Sequence, residues 1–104
     1  MKQLTSDDFL DDLLPQDKPS LLFFSASWCG PCQSMTSVVS GISNLMSERL
    51  YSVKVDVNTS ENEVRKYGIR SVPTLLLIKN DEIIAQQVGA MPAHRLMQWI
   101  EQYI

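Results

Sequence analysis

The sequence predicts an α/β fold: a central mixed sheet flanked by helices on both faces. Three observations carry this expectation. Leu21-Leu22-Phe23-Phe24 is an unbroken apolar run bounded by serines, the pattern of a strand buried on both of its faces. Directly after it, Met35, Val38, Val39, Ile42, Leu45, Met46 and Leu50 recur at helical spacing. Two more strand-like runs, Thr74 to Lys79 and Glu82 to Val88, are separated by two residues, which is hairpin spacing. Strands alternating with helices and ending in a hairpin fit most economically into one mixed sheet.

The elements follow in order. Leu4 to Leu14 reads as a short helix with a strand before it. Thr5 or Ser6 can cap that helix, Asp7 and Asp8 suit its positive start, and Phe9, Leu10, Leu13 and Leu14 form its apolar face. Pro15 to Ser20, with two prolines, breaks the pattern before the Leu21–Phe24 strand. The long helix is expected from about Cys32 to Arg49, with Gly41 and several serines weakening it without breaking it. Val53, Val55 and Val57 alternate as a strand. Ser60 followed by Glu63 has the form of a capping box, so a short helix to Tyr67 is expected, closed by Gly68. Asn80 and Asp81 both tolerate positive φ at the hairpin turn. Gly89 ends the last strand, and Pro92 can open a final helix whose Leu96, Trp99, Ile100 and Tyr103 share a face.

A chain of 104 residues is expected to form one domain, here residues 1–104, and is long enough to bury a core without staples. Nine Lys+Arg against twelve Asp+Glu give a net charge of -3, which argues against nucleic-acid binding through neutralised phosphates. The longest apolar runs are four residues, Leu21–Phe24 and Leu75–Ile78, far short of the ~20 that a membrane helix needs. Lys2 to Asp8 turns acidic where a signal peptide needs an apolar stretch. A cytoplasmic location is the expectation if Met1 is the true start.

Two cysteines, Cys29 and Cys32, enclose Gly30-Pro31. A bridge over so short a loop removes little chain entropy, so a staple is a poor reason for it. Cys29 falls in the turn between the buried strand and the long helix, and Cys32 falls in the helix. Unpaired N–H groups and the partial positive charge of a helix start favour a thiolate, which makes Cys29 the expected nucleophile and Cys32 the resolving thiol. Gly30 lets the backbone turn, Pro31 sets φ at the helix start, and Trp28 offers a flat apolar surface beside the nucleophile. Blander readings compete. Two thiolates can be half of a zinc site, but the only histidine is His94 and no other cysteine exists to close it, so no metal is expected. His94 reads as a solvated helix residue and Trp99 as core.

Trp28-Cys29-Gly30-Pro31-Cys32 after an apolar strand resembles the active site of the thioredoxin family, for which a C-x-x-C beside a βαβ pattern is a known sign. Lys66-Tyr67-Gly68-Ile69-Arg70-Ser71-Val72-Pro73-Thr74-Leu75-Leu76-Leu77 is similar to the family's second signature, and Val88-Gly89-Ala90 to its third. The likeness covers essentially the whole chain. It implies the thioredoxin fold and a cis Pro73 facing the two cysteines. Val72 would then present free backbone groups to a substrate segment, which pairs there as an added strand. Trp28, Gly30, Pro31, Val72, Pro73, Gly89 and Ala90 would form the docking surface. The implied activity is reduction of disulfide-containing protein substrates, with thioredoxin reductase or an equivalent donor restoring the dithiol, no cofactor, and a monomeric chain. A disulfide oxidant or isomerase, and a non-enzymatic interaction module of the same fold, are the competing readings.

The chain departs from the family pattern at Phe23. Six residues before the nucleophile the family usually has a buried aspartate, which is thought to move the resolving cysteine's proton and lies near a lysine on the next strand. That lysine is retained as Lys54, and Asp56, two residues along on the same face, is the expected substitute partner. Slower resolution, or resolution over a narrower pH range, is expected. Ser25 stands where many bacterial members have a second tryptophan. Ser37 stands where a proline often bends the long helix, and Gln33 replaces a common lysine.

Overall fold

The computed structural model describes residues 1–104. The elements run β1 (Lys2–Gln3), α1 (Leu10–Leu13), β2 (Ser20–Ser25), α2 (Gly30–Leu45), β3 (Tyr51–Asp56), α3 (Glu61–Tyr67), β4 (Thr74–Lys79), β5 (Glu82–Val88) and α4 (Ala93–Glu101). One five-stranded sheet has the order β1-β3-β2-β4-β5. β2 is parallel to β3 and antiparallel to β4, so the sheet is mixed, as expected. The centre falls on β2, whose six residues are all buried.

Alternation along β2 divides the core. Leu21 and Phe23 join Met35, Val39 and Ile42 of α2 and Leu96 and Ile100 of α4 on one face. Leu22 and Phe24 join Leu10, Val53, Val55, Leu76 and Ile78 on the other, with Tyr67 of α3 packed against them. A strand covered on both sides has no polar face, which is why the four-residue apolar run was legible as central.

Several boundaries differ from the sequence expectation. α1 is a single turn. Thr5 to Asp8 form a separate turn, in which the Asp8 carboxylate accepts from the Thr5 N–H at 2.9 Å and from its hydroxyl at 3.0 Å. Those hydrogen bonds, with Lys2 beside them, hold the Asp8 carboxyl below its ordinary range. Short polar residues bonding to local backbone in this way compete with helix. Phe9 is consequently 75% exposed and not part of an apolar face.

α2 starts two residues before the expected Cys32 and ends at Leu45, short of Arg49. There the Met46 carbonyl accepts from the N–H groups of both Arg49 and Leu50, closing a turn that brings Leu50 down into the core. Leu45 is left 77% exposed. Ser60 stands before α3 without a side-chain cap, so the expected capping box does not form. On α4, Leu96 and Ile100 are fully buried, but Trp99 is only half-buried and stacks edge-on with Tyr103 at 6.1 Å between ring centroids. The expectation of Trp99 as core is therefore met only in part.

The turn chemistry follows the sequence closely. Asn80 and Asp81 take φ of 52° and 64° in the β4–β5 hairpin, and Gly68 closes α3 at φ 65°. A Cβ at Gly68 meets nothing within 4 Å, so the cost of Gly68→Ala is conformational alone. About 1 kcal/mol of lost stability is expected from placing an L-residue there, read as a lower midpoint in urea at unchanged slope.

Candidate active site

The site lies where β2 ends and α2 begins. Cys29 is the N-cap residue of α2 and Pro31 falls in its first turn. The Cys29 sulfur accepts a hydrogen bond from the Cys32 N–H at 3.2 Å, satisfying one of the orphan donors of the helix start. The same donor and the same helix end favour negative charge on this sulfur when the thiol is free. Cys29 and Cys32 form a disulfide, with Cα atoms 5.3 Å apart. Cys29 retains 6% of its accessible surface and Cys32 none. Of the two residues, only Cys29 keeps surface through which another molecule can approach.

The turn carrying Cys29 is braced from two directions. The Cys29 N–H donates to the Ala26 carbonyl at 3.2 Å. Gln33 donates from Nε2 to the carbonyls of Ala26 at 3.1 Å and Ser27 at 3.4 Å. Gln33 is more than a lost positive charge: it ties the first turn of α2 to the end of β2. Trp28, projecting from this turn, is 70% exposed, and Gly30 and Pro31 are exposed beside it.

Opposite the disulfide lies the segment before β4. The Val72–Pro73 peptide is cis. The Val72 carbonyl oxygen lies 4.0 Å from Cys29 Sγ, and Val72 packs against the small cluster of Ala26, Cys29 and Cys32. The Val72 N–H and C=O take no part in the backbone ladder. Pro73 is buried, and its carbonyl accepts from the Gly89 N–H at 2.9 Å. This bond draws the Gly89–Ala90 loop to the same rim. Gly89 has φ 95°, a conformation open to glycine and rarely to other residues.

The sequence did not single out the hollow beside Trp28. Trp28, Val57, Val64, Ile69, Arg70, Ser71 and Val72 line an open cavity of about 280 Å³. Val57 and Ile69 were visible only as ordinary apolar residues. Their role as walls depends on β3, α3 and the β4 approach converging.

Lys54 and Asp56 lie on β3 in register with Phe23 and Ser25 of β2, and neither bonds to the other. Asp56 Oδ1 accepts from the Asn58 N–H at 2.8 Å, and Lys54 forms no ion pair. The expected Lys54–Asp56 pairing is thus corrected: an aspartate at a strand end is well placed to bond the N–H two residues on. Lys54 Nζ instead donates to Thr36 Oγ1 at 3.4 Å. Phe23 lies beside Lys54 in the β2–β3 register and is fully buried. His94 is exposed, as expected. No grouping of His, Cys, Asp and Glu side chains fit to hold a metal ion is present.

A buried disulfide at a helix N-cap, one sulfur reachable and a strand-like rim facing it, defines a thiol–disulfide oxidoreductase site. Residues 1–102 match the family model described as thioredoxin. The chain is 41% identical over 100 residues to thioredoxin C-2 of Corynebacterium nephridii, covering 96% of this chain and 93% of that one. It is 39% identical over 97 residues to a Haemophilus influenzae thioredoxin, covering 93% and 91%. With a Rhodospirillum rubrum thioredoxin it shares 31% over 101 residues, 97% of each chain. The chain belongs to the thioredoxin family, and its activity is thiol–disulfide exchange. No helix is long and apolar enough to cross a membrane.

Proposed function

We propose that the protein is a cytoplasmic, monomeric, single-domain electron carrier that reduces disulfides in other proteins, with Cys29 as the attacking thiolate and Cys32 as its resolver. The observation that carries the role assignment is the difference in access: Cys29, on the helix cap, keeps 6% of its surface accessible and Cys32 is fully enclosed behind it. In the reduced chain, the Cys29 thiolate attacks one sulfur of the substrate disulfide. A Cys29–substrate bond forms, and the other substrate sulfur leaves and takes a proton. The Cys32 thiolate then attacks Cys29 Sγ, the mixed disulfide breaks, and the second substrate thiol departs. The protein has given up two electrons and holds the Cys29–Cys32 disulfide. A reductase of the thioredoxin reductase type restores the dithiol.

Substrate recognition is assigned to the rim. The unladdered N–H and C=O of Val72 can pair with an extended substrate segment as one added strand, which gives affinity without demanding a sequence. Trp28, Gly30, Pro31, Pro73, Gly89 and Ala90 supply the apolar surface around it. The hollow between Trp28 and Ile69 is placed to take a substrate side chain.

Cys32→Ser tests the two roles together. The variant is expected to retain the first attack and to accumulate stable mixed disulfides through Cys29, seen as higher-mass species that dithiothreitol dissolves. If Cys32→Ser forms no adduct with a disulfide-bonded protein while Cys29→Ser does, the two roles are reversed.

A further inference from the structure

The Thr36 hydroxyl, one helical turn beyond Cys32, links the dithiol helix to a charge on the sheet. It donates to the Cys32 carbonyl at 3.0 Å and accepts from Lys54 Nζ at 3.4 Å. The chain of donors runs one way, from ammonium to hydroxyl to carbonyl, so each bond strengthens the next. α2 itself carries no Asp, Glu, Lys, Arg or His between Gly30 and Leu45, and Lys54 has no carboxylate in ion-pair contact. The residue beside it in register is Phe23, which can neither neutralise its charge nor accept a proton.

We propose that Thr36 is a positioning residue for the resolving step: it holds the unneutralised Lys54 ammonium against the Cys32 turn, where the charge favours the Cys32 thiolate. This rests on the reading of Cys32 as resolver. A charge that favours the Cys32 thiolate offsets part of what the missing carboxylate at Phe23 would supply. The other ionisable groups on the surrounding elements are Tyr51 and Asp56 on β3, Asp56 bonded to the Asn58 N–H, Lys2 on β1, paired with Asp8, Arg70 ahead of β4, and His94, Arg95 and Glu101 on α4, Glu101 paired with Arg49. β2 carries none, and β4 has only Lys79, at its far end.

Cys29→Ser leaves Cys32 as the only thiol, and its thiolate absorbance in the ultraviolet can be titrated in that background. Lys54→Met is expected to raise the midpoint by about one pH unit, a tenfold loss of thiolate near neutrality. Lys54→Arg restores it. Thr36→Val shifts it the same way, Thr36→Ser does not, and Thr36→Val adds little in the Lys54→Met background, since both act on one pathway. In chains retaining both cysteines, resolution of the mixed disulfide slows by up to about tenfold near neutral pH, while its formation on Cys29 is unchanged. A midpoint unmoved by Lys54→Met or by Thr36→Val, in chains that keep the wild-type circular dichroism spectrum, overturns the proposal, as do fully additive effects. A midpoint that moves in the Cys29→Ser background, while the parent chain with both cysteines reduces no disulfide, leaves the coupling standing and removes the reductase reading instead.

Discussion

Cys29→Ser is expected to abolish disulfide reduction while leaving the fold intact. Serine is close in size, and its hydroxyl can still accept from the Cys32 N–H, which the Cys29 sulfur takes at 3.2 Å. The N-cap therefore survives, as serine is among the preferred residues there. What is lost is the nucleophile: a serine hydroxyl is not ionised near neutrality and cannot form a disulfide. In enzymes that act through a covalent intermediate, removing the attacking side chain costs on the order of 10⁶-fold. No turnover above the uncatalysed exchange is expected. The measurement is reduction of a disulfide-bonded protein by the pre-reduced chain, with circular dichroism as the folding control. Activity equal to the parent chain would remove Cys29 from the mechanism, and a parent chain that itself shows no turnover above the uncatalysed exchange would favour a non-enzymatic module of the same fold.

Phe23→Asp carries the largest expected effect on stability. Phe23 is fully buried among Met35, Val39, Leu75 and Leu77. Removing a buried phenylalanine side chain costs about 3–5 kcal/mol, and a carboxyl without partners in the vacated space adds to that. Lys54 adjoins the position in register and offsets part of the second cost by pairing. A net loss of about 4 kcal/mol is a large share of the 5–15 kcal/mol by which such domains are stable. It corresponds to a melting temperature lower by roughly 20 °C.

The same variant tests the proton route. A carboxylate at this position is expected to speed resolution of the mixed disulfide at the lower end of a scan between about pH 6 and 9, where Cys32 is otherwise more protonated. At the upper end no gain is expected, because Cys32 is already ionised and the new carboxylate neutralises Lys54. If resolution is no faster at any pH, a base at this position does not assist Cys32 in this chain.

Reduction also depends on direction. Thiol–disulfide pairs run toward whichever partner has the higher potential, and about 30 mV corresponds to 1.4 kcal/mol. The measured potential of the Cys29–Cys32 couple, set against a glutathione buffer, separates a reductant from an oxidant or isomerase.

Local pattern alone determined much of this protein. The run Leu21–Phe24 has no polar face, so its strand had to be central. Asn80-Asp81 and Gly68 supply positive φ where the chain reverses. Cys29-Gly30-Pro31-Cys32 between a strand and a helix specified a dithiol on a helix cap. These features rest on neighbours within a few residues, where periodicity and backbone preference act directly. Tertiary structure decided the rest. Whether Thr5–Asp8 joined α1 or folded on itself depended on a side chain bonding to backbone. Nothing in the spacing of Lys54 and Asp56 could show that one turns to Thr36 and the other to Asn58. Thr36 was one more polar residue on a helix until the packing of α2 over the sheet set it between an ammonium and the Cys32 carbonyl. The wall of Val57 and Ile69 beside Trp28 likewise joins segments far apart in the chain. Such contacts are settled by where whole elements pack, because the burial of a core, and not any local preference, fixes which distant side chains meet.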